Sequence, residues 1–116
     1  MKLIIAGGRE FNDYDLLKKE ALEFIGDEKV DTIISGMAPG ADTLGVKFAK
    51  EFGYDLAEYP ADWKAFGRRA GPIRNKIMAH KASHLLAFWN GKSTGTRHMI
   101  NYGSDCGLAV KVIDYA

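Results

Sequence analysis

Five short apolar runs alternate with four amphipathic stretches along the chain, and this alternation constrains the fold more than any other feature. The runs are KLIIA (2–6), TIIS (32–35), DLAEY (55–59), HLLAFW (84–89) and AVKVIDY (109–115). In 41–52, Ala41, Leu44, Gly45, Phe48, Ala49 and Phe52 share one stripe of 3.6-residue period, as an amphipathic helix requires. In 13–25, Leu17, Ala21, Phe24 and Ile25 form the buried face, with Asn12 as the expected N-cap. In 72–82, Pro72 suits the first helical turn and Ile73 and Ile77 are expected to point inward. In 96–106 the apolar positions are Met99, Ile100, Gly103 and Cys106, the last expected in the core. Strict strand–helix alternation predicts an α/β domain: a parallel sheet with right-handed crossovers and helices on both faces. The nearly continuous apolar character of the first, second and fourth runs fits strands buried on both sides.

At 116 residues the chain is expected to form a single domain spanning 1–116, long enough for one core and without linker, repeat or low-complexity segment. No apolar run approaches the roughly 20 residues needed to span a bilayer. A lone cysteine excludes an internal disulfide, and the N-terminal MKLIIAGG reads as a first strand rather than a signal peptide. These features predict a cytoplasmic location and no membrane partner. The net charge of +1 hides an asymmetry: residues 1–59 carry 7 Lys/Arg against 12 Asp/Glu, and residues 60–116 carry 9 against 3. The positive half is densest in PADWKAFGRRAGPIRNKIMAHK, which favours an anionic partner.

In open parallel sheets, ligands sit outside the carboxyl ends of the strands. That rule selects four loops: GGREFN, GMAPGAD, PADWKAFGRRAG and NGKSTG. The loops at the opposite edge are short and plain, so one edge is the expected working face. Gly7 and Gly8 permit close backbone approach to a ligand, and Arg9 and Glu10 follow where the sheet opens. No G-x-G-x-x-G is present, and the second strand ends in Ser35 rather than an acid that would hold a ribose, so a dinucleotide fold of the usual kind is excluded. Gly36 and Gly40 shape the second loop, and Asp42 is expected to bond the free amides of the helix it begins. The third loop is long for its type and carries Trp63 and Phe66 among guanidinium groups, which suits a purine and its phosphates. Arg74, one turn into the next helix, is tilted back toward the strand ends. Asn75 adjoins it.

The fourth loop, WNGKSTGTRH, has a Gly-Lys-Ser but no glycine five residues earlier, where Leu86 stands, so it is not a Walker loop. Gly91, Lys92, Ser93, Thr94, Gly95 and Thr96 instead form an anion cradle at a helix N-terminus. His80 and His84 are expected to be separated by a helix-to-strand transition, and neither a metal nor a cofactor is expected.

The four stretches GGREFNDY, SGMAPGADTLGVKFA, YPADWKAFGRRAGPIRNKIM and LLAFWNGKSTGTRHMI resemble, in order and nearly throughout the chain, the YspA-like branch of the SLOG superfamily. That superfamily also includes DprA and the LOG-type phosphoribohydrolases. The resemblance implies a Rossmann-like three-layer αβα fold with strand order 3-2-1-4-5, which sets the first and fourth loops on either side of one pocket. It also implies a nucleotide-derived ligand, sensed or cleaved at its N-glycosidic bond, and a homodimer. LOG enzymes carry Pro-Gly-Gly-x-Gly-Thr-x-x-Glu in the fourth loop and an arginine in the preceding helix. Gly95-Thr96 match the Gly-Thr, and Arg74 is similar to the helix arginine. Met99 stands where the catalytic glutamate would be, which counts against LOG-type hydrolysis and leaves ligand binding intact.

Three functions follow. The leading one is a binding pocket for a nucleotide-derived small molecule, as sensor, carrier or sequestering protein. The second is an N-glycosidic or phosphoribosyl hydrolase with Glu10 and Arg74 as catalytic groups. The third is DprA-like nucleic-acid binding, against which the near-zero net charge argues.

Overall fold

The computed structural model describes residues 1–115. Its elements run β1 (Lys2–Gly7), α1 (Tyr14–Ile25), β2 (Thr32–Ser35), α2 (Ala41–Phe52), β3 (Leu56–Glu58), α3 (Trp63–Phe66), a 3₁₀ turn (Gly67–Arg69), α4 (Ala70–Lys81), β4 (His84–Trp89), α5 (Thr94–Asp105) and β5 (Ala109–Asp114). The five strands form one parallel sheet in the order β3-β2-β1-β4-β5. The α/β reading, the strand order and the Rossmann-like layering are therefore as expected from the sequence.

Alternation along β1 explains the layers. Leu3 and Ile5 face the side packed by α1 and α2, together with Leu17, Phe48, Leu86 and Phe88. Ile4 and Ala6 face the other side, packed by α4 and α5 with Met78, Leu85, Ala87 and Met99. All of these are buried. Burial on both faces is why β1 and β4 read as continuous apolar runs.

The helices depart from expectation in several places, among them Phe52 at the end of the α2 stripe, which is 37% exposed. Asp13, not Asn12, caps α1, its carboxylate accepting the Leu16 N–H at 3.0 Å. The third loop is not loop throughout: Asp62 caps a single turn at Trp63–Phe66 by accepting the Ala65 N–H, and α4 begins at Ala70. On α4 the buried positions are Ala70, Gly71, Asn75, Met78 and Ala79, whereas Ile73 is half-buried and Ile77 is 45% exposed. Cys106 follows α5 as its C-cap and is exposed rather than in the core.

A tight junction sits where β1 ends. The Gly8 N–H donates to the Phe88 carbonyl at 3.0 Å, and the Gly8 carbonyl accepts from Ala41 at 3.1 Å and from Phe11 at 3.3 Å. Gly40 (φ 83°) lies so close that a Cβ there would run into the Gly8 carbonyl oxygen and the Arg9 backbone. Both the left-handed φ and the contact exclude a side chain. Gly40→Ala is expected to lower stability by about 3 kcal/mol, read as a lower urea midpoint at unchanged m-value; an unchanged midpoint would show that the junction is not needed for the fold.

Candidate functional site

The cleft lies at the switch point. β1 and β4 are adjacent, while their following connections leave toward opposite faces of the sheet, opening a gap between the β1–α1 and β4–α5 loops. Its volume is about 790 Å³. Residues from all four loops at this edge and from α4 and α5 line it, with Ala38, Asp42, Met78 and Met99 among them.

One end is built by the β4–α5 loop. The Asn90 side-chain oxygen accepts the N–H groups of Lys92 (2.8 Å) and Ser93 (2.9 Å), which folds the loop back on itself. Ser93 then caps α5, its hydroxyl accepting the Thr96 N–H at 3.3 Å and pairing with the Thr96 hydroxyl at 3.0 Å. The first-turn amides of Thr94 and Gly95 meet no acceptor among the described residues. Those amides and the Lys92 ammonium give this end a positive potential.

At another part of the wall stands Trp63, 49% exposed. Its ring lies against Gly71 on α4, where a Cβ would touch it at 3.4 Å. The Arg9 guanidinium sits 5.7 Å from the ring centroid. Arg74 is less free than its charge suggests. Its Nη1 donates to the Gly36 carbonyl at 2.5 Å and its Nε to the Asn75 side-chain oxygen at 3.0 Å. Gly36 makes this possible, since a Cβ there would occupy the space of the guanidinium and crowd the Asp42 carboxylate.

Asp42 is 5% exposed and does not bond the first turn of α2 as expected; Gly40 is the N-cap there, and no side chain caps the helix. The Asp42 carboxylate instead accepts the Ala38 N–H at 3.2 Å. Burial pushes its pKa up to about 6, against the opposing pull of the Ala38 amide, the Arg74 charge, the Gly7 amide and Arg9. Burial likewise lowers the pKa of Arg74, with Asp42 acting in the opposite direction.

Glu10 reaches the cleft from the first loop. Its Oε1 accepts from the Tyr115 hydroxyl at 2.7 Å and from the Asn90 amide at 3.1 Å. The Tyr115 hydroxyl, its own backbone amide and Asn90 hold the carboxyl below the usual range, so it is ionised at neutral pH. Met99 is 1% exposed and packed in the core beneath the cleft.

Of the residues singled out from sequence, Gly7, Arg9, Glu10, Trp63, Arg74, Asn75, Lys92, Ser93, Thr94, Gly95 and Thr96 all line this cleft. Gly36 lies beside it, in a small adjoining recess shared with Arg9, Trp63 and Arg74. Four do not reach it. Ser35 is fully buried, its hydroxyl donating to the Asp42 carbonyl and accepting the Met37 N–H. Gly8 and Gly40 are spent in the junction under the cleft, and Gly91 supplies a left-handed turn (φ 82°) outside it. Residues missed from sequence are Asn90, Arg68, Gly71 and His98, all lining the cleft. The Asn-Gly pair at 90–91 was a turn signal, and Arg68 belonged to the basic run; His98, at the end of the fourth loop, could by sequence either line the cradle or face away, and nothing marked Gly71.

Together the sheet order and the cleft define a Rossmann-like domain that opens a cleft at its β1/β4 switch point. The chain belongs to the YspA, cpYpsA-related SLOG family, abbreviated YAcAr, whose model matches residues 1–66. The Gene 61 protein of Mycobacterium phage D29 is 32% identical over 84 residues, 67% of this chain and 67% of that protein. Translation initiation factor IF-3 of Tropheryma whipplei (strain Twist) is 32% identical over 84 residues, which cover 63% of this chain and 46% of that protein. The X-ray structure of DNA processing protein A (DprA) from Streptococcus pneumoniae superposes with a TM-score of 0.76 at 17% identity, covering 99% of this chain and 50% of that one. The matches thus span about half the length of the initiation factor and of DprA, and the likeness to DprA is one of fold. Among the described residues no helix is long and apolar enough to cross a membrane.

The raised pKa of Asp42 has a stability signature. The folded state holds this proton more tightly than the unfolded chain, so the contribution is full below the ordinary pKa of 3.8 and is lost as pH rises through about 6. Asp42→Asn keeps an acceptor for the Ala38 amide and removes the buried charge. The variant is expected to be more stable than wild type by up to about 3 kcal/mol at about pH 8, with the advantage vanishing near about pH 4. Urea titrations at both pH values measure it, and a difference that does not change with pH would show that Asp42 titrates normally.

Proposed function

We propose that the cleft binds a nucleotide or nucleotide-derived ligand carrying a ribose phosphate, as a sensor, carrier or sequestering protein, with residues 1–116 acting as one ligand-binding domain. Membership of a SLOG family and a DprA-like fold support a nucleotide- or nucleic-acid-related role. The observation that carries the narrower reading is the pairing, in one cleft, of a half-exposed indole flanked by Arg9 with unpartnered helix amides beside Lys92. An aromatic face stacks on a base, and free amides with an ammonium take a phosphate. Arg74 adds positive charge from a position fixed by Gly36 and Asn75. A cytoplasmic location and a homodimer belong to the same reading.

Two other readings have less support. Hydrolysis of the N-glycosidic bond needs a carboxyl group to protonate the base, activate water or stabilise the ribosyl cation. Met99 supplies none, and Glu10, ionised by its partners, has no proton to give. Glu10 retains only the role of stabilising positive charge or accepting a proton weakly. Extended nucleic-acid binding fits the basic third segment, with Arg68 and Arg9 at the cleft, but the acidic first half opposes it.

A thermal-shift and mass-spectrometry survey of nucleotides, cyclic dinucleotides, ADP-ribose derivatives and single-stranded DNA tests the reading. A shift with single-stranded DNA alone would overturn it in favour of the nucleic-acid function. With the ligand found, Trp63→Ala is expected to weaken binding about tenfold or more, the scale of one lost base–aromatic stack. Phe66→Ala, at a ring 43% exposed and outside the cleft, is expected to leave affinity unchanged. Equal effects of the two substitutions would place the base elsewhere. For catalysis, the purified protein is expected to release no free base from AMP. If it does release base, Glu10→Gln is expected to abolish turnover while the ligand still binds, and retained turnover would remove Glu10 from the reaction.

A further inference from the structure

His98 is tied into a chain of hydrogen bonds whose polarity is fixed at both ends. At one end, Arg74 Nε donates to Asn75 Oδ1 at 3.0 Å, and a guanidinium has no acceptor to offer. At the other end, Asn75 Nδ2 lies 3.4 Å from the Gly95 carbonyl oxygen, which can only accept. The two neighbours independently set the orientation of the Asn75 amide, a side chain 6% exposed. Its NH₂ group therefore faces His98 Nδ1 at 3.2 Å and must donate to it. A ring nitrogen that accepts carries no proton. The proton of the neutral imidazole is then on Nε2.

We infer that His98 is a specificity-determining residue of the cleft: Asn75 holds it as the Nε2–H tautomer, and it offers that N–H as a fixed donor to a phosphoryl oxygen of the ligand. This rests on the reading of the cleft as a nucleotide site. Three features support the contact. His98 lines the cleft together with Lys92, Thr94 and Gly95, and helical side chains lean toward the N-terminus of their helix, here toward the free amides. The Asn75 amide bridges the ring and the Gly95 carbonyl, which keeps the ring beside the first turn of α5. Nε2 meets no acceptor among the described residues, whereas Nδ1 is occupied.

The surroundings oppose the imidazolium. Protonation would set two donors, Nδ1–H and the Asn75 NH₂, against each other. Burial and the Lys76 ammonium on α4 lower the pKa of His98, and Arg74 is the other cation of that helix in the network. On α5 the Tyr102 ring lies parallel to the imidazole with centroids 6.0 Å apart, and the Tyr102 hydroxyl is paired with His80 at 3.0 Å. None of these groups is an acid. The ring thus stays a neutral donor at neutral pH, and its geometry is set before any ligand arrives.

The test uses the full chain labelled with ¹⁵N, and its probe is inorganic phosphate. At neutral pH without phosphate, the His98 ring nitrogens are expected to show the Nε2–H tautomer, and Asn75→Ala is expected to mix the tautomers while the backbone spectrum stays folded. Millimolar phosphate is expected to shift His98 Nε2–H, and His98→Ala to weaken phosphate binding about tenfold. His98→Gln, whose amide can present a donor at the same place, should recover part of that loss. An Nδ1–H or imidazolium ring in the free protein overturns the inference, and so does phosphate that binds equally well to His98→Ala or leaves Nε2–H unmoved. The nucleotide reading fails separately, if phosphate moves His98 but no nucleotide binds more tightly than phosphate alone.

Discussion

The peptide unit of Gly8 is the point on which the site depends. Its N–H holds the end of β4 through Phe88, and its carbonyl holds the start of α2 through Ala41 and the first loop through Phe11. Three such bonds are each worth about 1 kcal/mol net, but their geometric effect is larger. They fix β1, β4 and α2 at one corner, and the chain that leaves this corner carries Arg9 and Glu10 directly into the gap. Gly40 must lack a side chain for α2 to come this close. The residues beneath the cleft are thus used to shape it, and the residues after them are left for a ligand.

A second constraint follows from burying Asp42. Its carboxylate accepts the Ala38 amide on one side, and Gly36 leaves room for Arg74 on the other. The arrangement orders the β2–α2 loop, and it fixes Arg74 through the Gly36 carbonyl. Asn75 then passes that order on to the first turn of α5. The β2–α2 loop, α4 and the first turn of α5 are thereby linked by polar contacts beside the cleft. Of the side chains so linked Asn75 is the buried one, so losing either neighbour would strand a polar group of its amide.

The strands were legible because both-face burial leaves an unmistakable pattern in β1 and β4, whereas their order came from the family resemblance. The placement of Lys92–Thr96 and Trp63 at the cleft was legible because their loops leave the carboxyl edge of a parallel sheet. α4 was misread, for a physical reason. Its inner face is Gly71, Asn75, Met78 and Ala79, small or polar because the helix flanks a cleft and carries Trp63, while Ile77 is left outside. Hydrophobic periodicity describes a helix against a core, so it selected Ile73 and Ile77. Asp42 looked like a helix cap by position alone; its carboxylate turns instead to the Ala38 amide in the preceding loop. Tyr115 could not have been connected with Glu10, since 105 residues separate them and only the closure of β5 against β4 brings them together.

The proposed binding role accords with the side chains that line the cleft. Met78 and Met99 form an apolar floor where a glycosidase would need a titratable group, and Met99 is too buried to be displaced by a local shift. The carboxylate that does face the ligand space, Glu10, is bound by two neutral donors that keep it charged. A group so held can stabilise a cation but resists gaining the proton that a leaving base requires. The same Glu10 contact orients Asn90, and Asn90 folds the β4–α5 loop through Lys92 and Ser93. Glu10 therefore has a structural reason to be ionised that is independent of any reaction. An acid committed to that contact suits the proposed binding role better than a reaction in which it must cycle protons.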